Sequence, residues 1–414
     1  MSSDAITFLD LPISRKKRRK SVLTVFGTRP EVIKLAPVLL ALGRRREFIC
    51  TVNVSSGQHS ELLHPFVDLF GVRVHYDLGL MTCGQSVGGL LRRVVSEVSD
   101  VIAQEEPDLV LVQGDTTTAL GGAIAGCNCG VPVAHVEAGL RSGNLRSPYP
   151  EEMHRVAITQ LASVHFAATE RNRQTLLQEG ISREATFVTG NPIVDTLELV
   201  RRCGDSNSGL LKAIGDRKCV VLTTHRRESF GAILEENLRI VRAFVEEHED
   251  VALVFPVHPN PSVRIPAYRI LEGHPRIILI QPLPYFDFIH LISRCWLVVS
   301  DSGGIQEEVP SLGKPLLILR ENTERPECIE AGMARLVGAR AETLQAMLEE
   351  AYQPTSWVNS VHKVANPFGH GDSGERIANH VVCLLQGRPA RHVAASQFVP
   401  AGYRARSNAP AQIL

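Results

Sequence analysis

The stretch VLTVFGTRPEVIKLAPVLLAL, residues 22–42, places a short β-branched run directly before a longer amphipathic segment. Val22–Phe26 is typical of a strand buried in a parallel sheet, and the apolar spacing of Glu31–Leu42 predicts a helix. Gly27 allows a tight turn between the two segments, and Pro30 suits the first turn of a helix. The stretch therefore predicts one strand–turn–helix unit of an α/β fold.

The same alternation of strands and helices continues along the chain. Amphipathic stretches such as Leu90–Gln104 and Glu235–Glu247 predict further helices. Strands that alternate with helices form βαβ units, which build parallel sheets covered by helices on both faces. The other short apolar runs that predict strands are Leu109–Val112, Val131–His135, Cys219–Thr223, Val251–Pro256, Ile277–Ile280, Leu297–Ser300 and Pro315–Leu319.

The alternation pauses once, at the polar and turn-rich segment 203–209. We therefore place a linker at 201–217, between an N-terminal Rossmann-like domain at 21–200 and a C-terminal one at 218–385, whose last helix can pack back on the first domain. A chain of 414 residues is long enough for two domains. The predicted architecture is two doubly wound sheets facing each other across a cleft, where ligands bind off the carboxyl ends of the strands.

Composition limits the classes of function. Lys+Arg and Asp+Glu both number 44, so the formal net charge is zero, which argues against a globally basic nucleic-acid-binding protein. No apolar run approaches the ~20 residues that span a bilayer, so we expect no membrane segment. The nine cysteines are scattered without a CxxC pair, which favours reduced, structural thiols in a cytoplasmic protein.

Both ends of the chain are predicted to lie outside the folded domains. The basic run RKKRRK, residues 15–20, is followed by an apolar run too short for a signal peptide. We interpret residues 1–20 as a solvated, disordered leader; an electrostatic contact with nucleic acid or anionic lipid is the alternative. The periodic pattern stops after about residue 385, which predicts a loose tail at 386–414.

Charged residues follow the predicted strands of the first half. Arg29 and Lys34 lie in the first helix, whose N-terminus can receive an anion; solvated charges at a helix start are the alternative. Three carboxylates lie near one rim of the cleft: Asp115, Glu137 and Glu151. Each is explained singly by helix capping, dipole complementarity or an ion pair. Together they can supply a general base and a general acid.

The second half places cations and a glycine pair after its strands. His225 and Arg226 suit the oxygens of a diphosphate, although a surface basic cluster is the alternative. The segment Asp301-Ser302-Gly303-Gly304 can hold a phosphate with backbone N–H groups. Glu308, one turn into the next helix, can accept ribose hydroxyls, and Arg325 adds a cation. We interpret this half as a nucleotide diphosphate site and the first half as its acid–base side.

These segments resemble the non-hydrolysing UDP-N-acetylglucosamine 2-epimerases. The resemblance implies the two-domain glycosyltransferase-B fold and interconversion of UDP-N-acetylglucosamine and UDP-N-acetylmannosamine, with no metal and no nicotinamide cofactor. It also implies a homodimer and a place in polysaccharide biosynthesis. The matching motifs run in the family's order from about residue 21 to 376: VFGTRPEVIK, QGDTTT, HVEAGLRSG, SPYPEEMHR, HRRESFG, DSGGIQEE, SLGKP and TERPE.

The resemblance also assigns roles to residues. Asp115, Glu137 and Glu151 would be the catalytic carboxylates. His225 would stabilise the departing diphosphate. The substrate-binding residues that the resemblance implies are Arg29, Lys34, Arg226, Phe288, Ser302, Gly303, Gly304, Glu308 and Arg325. Gln58 and His59 match a pair beside which a second, activating substrate molecule binds in many bacterial members.

The implied reaction is elimination of UDP to 2-acetamidoglucal followed by re-addition of UDP. A direct proton abstraction is disfavoured because the C2 proton is not beside a carbonyl and is barely acidic. Two alternatives of other classes are a hydrolysing epimerase or UDP-sugar transferase on the same fold, and a non-catalytic UDP-sugar sensor.

Overall fold

The computed structural model describes residues 19–57, 67, 70–82, 84–201, 208–226, 230–338 and 340–388. The predicted leader and tail therefore lie almost wholly outside the described residues, as do Gln58 and His59. Two parallel sheets, each flanked by helices, account for the described chain. We call the first sheet with its helices, residues 19–201, the first lobe, and the second sheet with its helices, residues 218–352, the second lobe.

The first sheet has seven parallel strands in the order β3-β2-β1-β4-β5-β6-β7. The strand order reverses between β1 and β4, which is the point where open α/β sheets bind ligands. Its strands are β1 (Lys20–Phe26), β2 (Ile49–Ser55), β3 (Tyr76–Asp77), β4 (Leu109–Gln113), β5 (Val133–Ala138), β6 (Val164–Ala167) and β7 (Thr186–Val188). Its helices are α1 (Arg29–Gly43), α2 (Val87–Glu105), α3 (Thr117–Asn128), α4 (Glu151–Leu161), α5 (Glu170–Gln178) and α6 (Pro192–Arg201).

The second sheet has six parallel strands in the order β10-β9-β8-β11-β12-β13, so its order reverses between β8 and β11. Its strands are β8 (Lys218–Thr223), β9 (Val251–Pro256), β10 (Ile277–Ile280), β11 (Leu297–Ser300), β12 (Leu316–Ile318) and β13 (Ala334–Leu336). The remaining helices are α7 (Ser208–Ile214), which lies within the predicted linker, and α8 (Ala232–Glu247), α9 (Pro261–Leu271), α10 (Tyr285–Arg294), α11 (Ile305–Ser311), α12 (Glu327–Glu330), α13 (Ala341–Tyr352) and α14 (Ser373–Leu385).

Alternating residues of β1 pack into two apolar cores, one on each face of the first sheet. Leu23 and Val25 belong to the core on the α2 and α3 side, whereas Val22 and Phe26 belong to the core on the α1 and α6 side. All four side chains are fully buried. Burial on both faces explains why the residues from Val22 to Phe26 are apolar except for the buried Thr24, rather than alternating, and it confirms the doubly wound prediction.

The eight predicted strands are all present, with small shifts at their ends. β1 begins at Lys20, whose Nζ lies 2.6 Å from Asp108 Oδ1. The largest shift is at β5, which runs to Ala138 rather than ending at His135. The prediction that Glu137 follows this strand is therefore wrong: Glu137 lies inside it.

The last helix, α14, packs on α1 of the first lobe. The guanidinium of Arg45 donates to Glu375 at 2.6 Å and, through Nε, to Asn379 at 3.1 Å. A Cβ on Gly374 would lie 2.6 Å from the carbonyl oxygen of Pro37, so only glycine permits this approach of the two helices. Within the described ranges, no helix combines the length and the apolar character needed to cross a bilayer.

Candidate active site

A cavity of about 460 Å³ lies between the carboxyl ends of the two sheets. Both lobes line it, so the structure brings together most of the residues that the sequence singled out. The predicted site residues that line it are Arg29, Lys34, Asp115 and Glu137 from the first lobe, and His225, Phe288, Ser302, Gly304, Glu308 and Arg325 from the second.

The start of α1 is fixed by a buried carboxylate. Glu31 accepts hydrogen bonds from the backbone N–H groups of Gly27 at 3.1 Å and Thr28 at 2.7 Å, which satisfies donors that a helix start leaves free. Thr116 donates to the other oxygen at 2.7 Å. Burial raises the pKa of Glu31 against these hydrogen bonds. These contacts fix the first two turns of α1, which carry Arg29 and Lys34, beside the ends of the strands.

Glu137 lies at an irregularity near the end of β5. Its φ of +67° is in the left-handed region, and the pairing with β6 shifts register between Val136 and Ala138. A non-glycine residue held there costs of order 1–3 kcal/mol, which is characteristic of functional positions. Burial, followed by the charge of Glu307, raises the pKa of Glu137 to about 7, although Lys34 and Arg325 act in the opposite direction.

Three donors or cations hold the Glu137 carboxylate. Gln113 donates to Oε2, and Lys34 Nζ donates to Oε1. Arg325 Nη2 lies 3.6 Å from the same Oε1. A carboxyl group in this setting can take up or release a proton near neutral pH.

The other two predicted catalytic carboxylates both line a second cavity. Asp115 lines both the central cavity and an adjoining cavity of about 600 Å³, whereas Glu151 lines only the adjoining one. Arg155 pairs with Asp115 at 2.8 Å rather than with the side chain of Glu151. Thr116, not Asp115, caps α3 by accepting from Ala119 N at 3.0 Å. Asp115 therefore does not cap α3; it pairs with Arg155 and lines the cavity.

In the second lobe, the buried carboxylate of Asp301 orients His225. His225 Nδ1 lies 3.2 Å from Asp301 Oδ1, and Asp301 also accepts from the hydroxyl of Thr224 at 2.7 Å. Burial raises the pKa of Asp301, but the hydrogen bonds from His225 and Thr224 outweigh it and lower that pKa. Because Nδ1 donates to a carboxylate, Nε2 is the ring nitrogen left for a ligand.

The nucleotide-binding prediction centres on the start of α11. The hydroxyl of Tyr285 donates to Glu308 Oε1 at 3.0 Å, and burial raises the pKa of Glu308 to about 7. Gly303 does not line the cavity. A Cβ there would lie 3.1 Å from Arg325 Nη1 and 3.3 Å from Arg226 Nη2, so this glycine leaves room for two guanidinium groups beside the loop.

Several lining or supporting residues were not predicted. Glu307 Oε2 lies 2.7 Å from Lys34 Nζ, and its Oε1 accepts from Arg325 Nε at 2.5 Å. Burial raises the pKa of Glu307, but Arg325 and Lys34 lower it to about 2. Glu307 is the first glutamate of the EE pair in DSGGIQEE. The sequence alone does not distinguish it from a glutamate that only stabilises the helix dipole. The other residues missed are Gln113, Tyr285, Asp301 as the partner of His225, and Glu324.

A group able to share a metal ion lies elsewhere. Among the described residues, the side chains of Glu247, His248 and Glu349 are close enough to one another to do so. None of the three lines the central cavity. The cavity itself is lined by acids and cations from both lobes.

Comparison with known proteins gives the same picture. Residues 41–382 match the family model described as UDP-N-acetylglucosamine 2-epimerase. The UDP-N-acetylglucosamine 2-epimerase of Escherichia coli K12 is 42% identical over 364 residues, which cover 86% of this chain and 96% of that protein.

Solved structures agree. The structure of UDP-GlcNAc 2-epimerase from Neisseria meningitidis bound to UDP-GlcNAc has a TM-score of 0.82 and 37% identity, and covers 88% of this chain and 100% of its own. The glycosyltransferase of kitacinnamycin, at 13% identity and a TM-score of 0.61, shares only the fold, which is the glycosyltransferase-B arrangement of two facing Rossmann-like lobes. With its motifs, its cleft and these relatives in agreement, the chain belongs to the UDP-N-acetylglucosamine 2-epimerase family.

Proposed function

We propose that this chain interconverts UDP-N-acetylglucosamine and UDP-N-acetylmannosamine without hydrolysis, by eliminating UDP to 2-acetamidoglucal and adding it back. One observation carries the proposal: Glu137, an acid of the first lobe, lies 3.6 Å from Arg325, a cation of the second, in one buried cavity. The Neisseria relative, which is bound to UDP-GlcNAc, supports the choice of substrate.

The nucleotide belongs on the second lobe. Ser302 and Gly304, which line the cavity, would hold the phosphates, Gly304 through its backbone N–H and Ser302 through its hydroxyl. Glu308, already hydrogen-bonded by Tyr285, would accept the ribose hydroxyls. Phe288 lines the cavity and would pack near the uracil. This placement directs the diphosphate toward the cations at the centre of the cleft.

Breaking the C1–O bond leaves negative charge on the diphosphate. Arg325 and Lys34 line the cavity where this charge develops, and fixed cations in a site shielded from water stabilise it strongly. His225 has its Nδ1 held by Asp301 and lines the same cavity. In the imidazolium form, its Nε2–H can donate a proton or a hydrogen bond to the leaving UDP. Departure of UDP builds positive charge at C1, which makes the C2 proton easier to remove.

Inversion at C2 needs proton transfer on two opposite faces of the sugar. Asp115 and Glu137 line the central cavity, and we assign the two transfers to this pair. With a pKa raised to about 7, Glu137 can act in either direction. Glu151, which shares the adjoining cavity with Asp115, would support the reaction from that side.

Incubation with UDP-N-acetylglucosamine in deuterated water tests the proposal. We expect deuterium at C2 of both nucleotide-sugars and a mixture of the two epimers, detected by NMR and mass spectrometry. Release of free sugar and UDP in place of a second UDP-sugar would show a hydrolase. Unlabelled and unchanged substrate would show a binding protein without catalysis.

Two further properties stay predictions from the family resemblance. One is a homodimer, which light scattering after size exclusion tests. The other is the match of Gln58 and His59, which lie outside the described residues, to the pair at the family's activating site. The dependence of the rate on UDP-N-acetylglucosamine concentration tests it, and a sigmoidal curve would show activation by a second substrate molecule.

A further inference from the structure

Four buried charged side chains meet across the cleft. Lys34 and Glu137 come from the first lobe, and Glu307 and Arg325 come from the second. Their side chains are 9%, 4%, 1% and 8% exposed. We call this group the cross-lobe cluster. Two cations and two carboxylates balance, so the cluster carries no net charge when all four are ionised.

Glu307 connects the two cations of the cluster. Its Oε1 accepts from Arg325 Nε at 2.5 Å, and its Oε2 lies 2.7 Å from Lys34 Nζ. Arg325 is also held within its own lobe by Glu324, which contacts Nη1 at 2.5 Å. The position of Arg325 is therefore fixed from the second lobe. Through its other carboxylate oxygen, Glu307 also contacts Lys34, which belongs to the first lobe.

Lys34 in turn contacts Glu137. The same Nζ that meets Glu307 donates to Glu137 Oε1, so one amino group links a carboxylate of each lobe. Removing one member of a buried ion network leaves its partner charged and unpaired in a medium of low polarity, which is strongly unfavourable. The link from Arg325 through Glu307 to Lys34 therefore depends on Glu307 being present and ionised.

The chain position of Glu307 links this contact to the nucleotide. Glu307 and Glu308 are neighbours in the first turn of α11, directly after the glycine loop. A nucleotide whose ribose binds Glu308 and whose phosphates bind Ser302 would also fix the position of this helical turn. The turn then presents Glu307 to Lys34.

We propose that Glu307 is a positioning residue for the reaction, which ties Lys34 of the first lobe to Arg325 of the second and thereby holds Glu137 in place when the cleft closes on the nucleotide-sugar. This role rests on the proposed function for its chemical consequence. The tie between the lobes does not depend on turnover.

The variant Glu307→Gln keeps the size of the side chain and removes its charge. We expect kcat to fall ~10²-fold, the effect typical of a small misplacement of a catalytic group, with KM and UDP affinity little changed. We also expect 2-acetamidoglucal and UDP to escape into solution more often per turnover than from the wild type. Glu307→Asp, which keeps the charge but shortens the reach, should recover part of kcat.

A second readout does not use activity. Small-angle X-ray scattering at saturating UDP should show a smaller radius of gyration for the wild type than for Glu307→Gln, because only the wild type completes the cross-lobe cluster. Circular dichroism and thermal unfolding establish that both variants are folded. If the wild type does not epimerise but this difference in size is found, the proposed function fails and the tie between the lobes stands.

The matched control is another ion pair across the cleft. Arg171 Nη1 lies 2.5 Å from Glu330 Oε1, but the two side chains are 53% and 60% exposed, and an exposed pair contributes little. Glu330→Gln should therefore leave kcat, intermediate release and scattering as in the wild type. The proposal is overturned if Glu307→Gln matches the wild type in these measurements, or if Glu330→Gln is equally damaging.

Discussion

Asp301 is completely buried behind His225 and lies 3.2 Å from the Nδ1 atom of its ring. The carboxylate also accepts from the backbone N–H of Arg226 at 3.0 Å, so it shapes the loop as well as the imidazole. An asparagine at this position could donate a hydrogen bond from its amide nitrogen to Nδ1. In that case Nδ1 would be the acceptor, and the proton of the neutral imidazole would be on Nε2.

We therefore expect Asp301→Asn to lower kcat by ~10–100-fold, as loss of an orienting partner commonly does. UDP affinity, measured by calorimetry, should change much less. Asp250→Asn is a suitable control because Asp250 is exposed and pairs with Lys218 at 3.0 Å away from the cavity. Equal rates for Asp301→Asn and wild type would show that the orientation of His225 does not limit the reaction.

Glu137→Gln removes the carboxylate that Lys34 and Gln113 hold. Loss of a proton-transfer group typically costs ~10²–10⁴ in rate, so exchange of deuterium into C2 should be abolished or nearly so. UDP should still bind, since the nucleotide groups lie on the second lobe. Exchange at the wild-type rate would remove Glu137 from the mechanism.

The raised pKa of Glu137 also affects stability. This carboxyl titrates at about 7 in the folded chain and at the ordinary value of 4.5 when unfolded. Between those values the folded state binds more protons than the unfolded state, so the contribution of Glu137 to stability is present at low pH and is lost as pH rises toward 7. Glutamine does not titrate, so the melting temperature of Glu137→Gln relative to wild type should increase from pH 5 to pH 8 in calorimetric scans. A difference that is constant across this range would contradict the assigned pKa.

Glu308→Gln should weaken UDP binding through the ribose. A hydrogen bond to a charged group contributes about 1.5–3 kcal/mol, so we expect a loss on the order of 10–100-fold in affinity. The 2′,3′-dideoxy analogue of UDP lacks the hydroxyls and should bind the wild type and the variant alike. If the variant loses affinity for both ligands equally, Glu308 does not contact the ribose.

Gly374→Ala should destabilise the protein. Its new Cβ would lie 2.6 Å from the carbonyl oxygen of Pro37, and overpacking of this kind costs about 1–3 kcal/mol. Gly88 lies near the start of α2 with open space around it, so Gly88→Ala should be neutral or slightly stabilising because alanine favours helix. Urea unfolding of the two variants measures the difference, and equal midpoints would show that α1 and α14 separate easily.

The sequence predicted the fold best where both faces of a strand are buried. β1 and β4 are predominantly apolar, with only Thr24 polar within the predicted runs Val22–Phe26 and Leu109–Val112, and both were found within two residues of their ends. β2 was missed because Thr51 and Asn53 interrupt its apolar pattern. β13 was missed because it is only three residues long and includes Arg335. A segment this short shows no apolar pattern from which a strand can be predicted.

Site residues were predictable where chain position alone brings them to the cleft. Asp115, His225 and Ser302 each follow a strand, and all three line the cavity. Glu307 could not be predicted in this way, because its partner Lys34 belongs to the other lobe and meets it only when the two sheets face each other. The place of Glu137 inside β5 and its positive φ were not predicted either, because no pattern of residue types shows a left-handed backbone at a glutamate.

The packing of α14 on α1 restricts how the cleft can open. The chain leaves the first lobe after Arg201 and enters the second at Lys218; it leaves the second after Tyr352 and is anchored again on the first from Ser373. The second lobe is thus connected to the first at both of its ends, through two separate chain crossings. Rotation of the second lobe about these two crossings would bring Glu307 back to Lys34 each time the cleft closes.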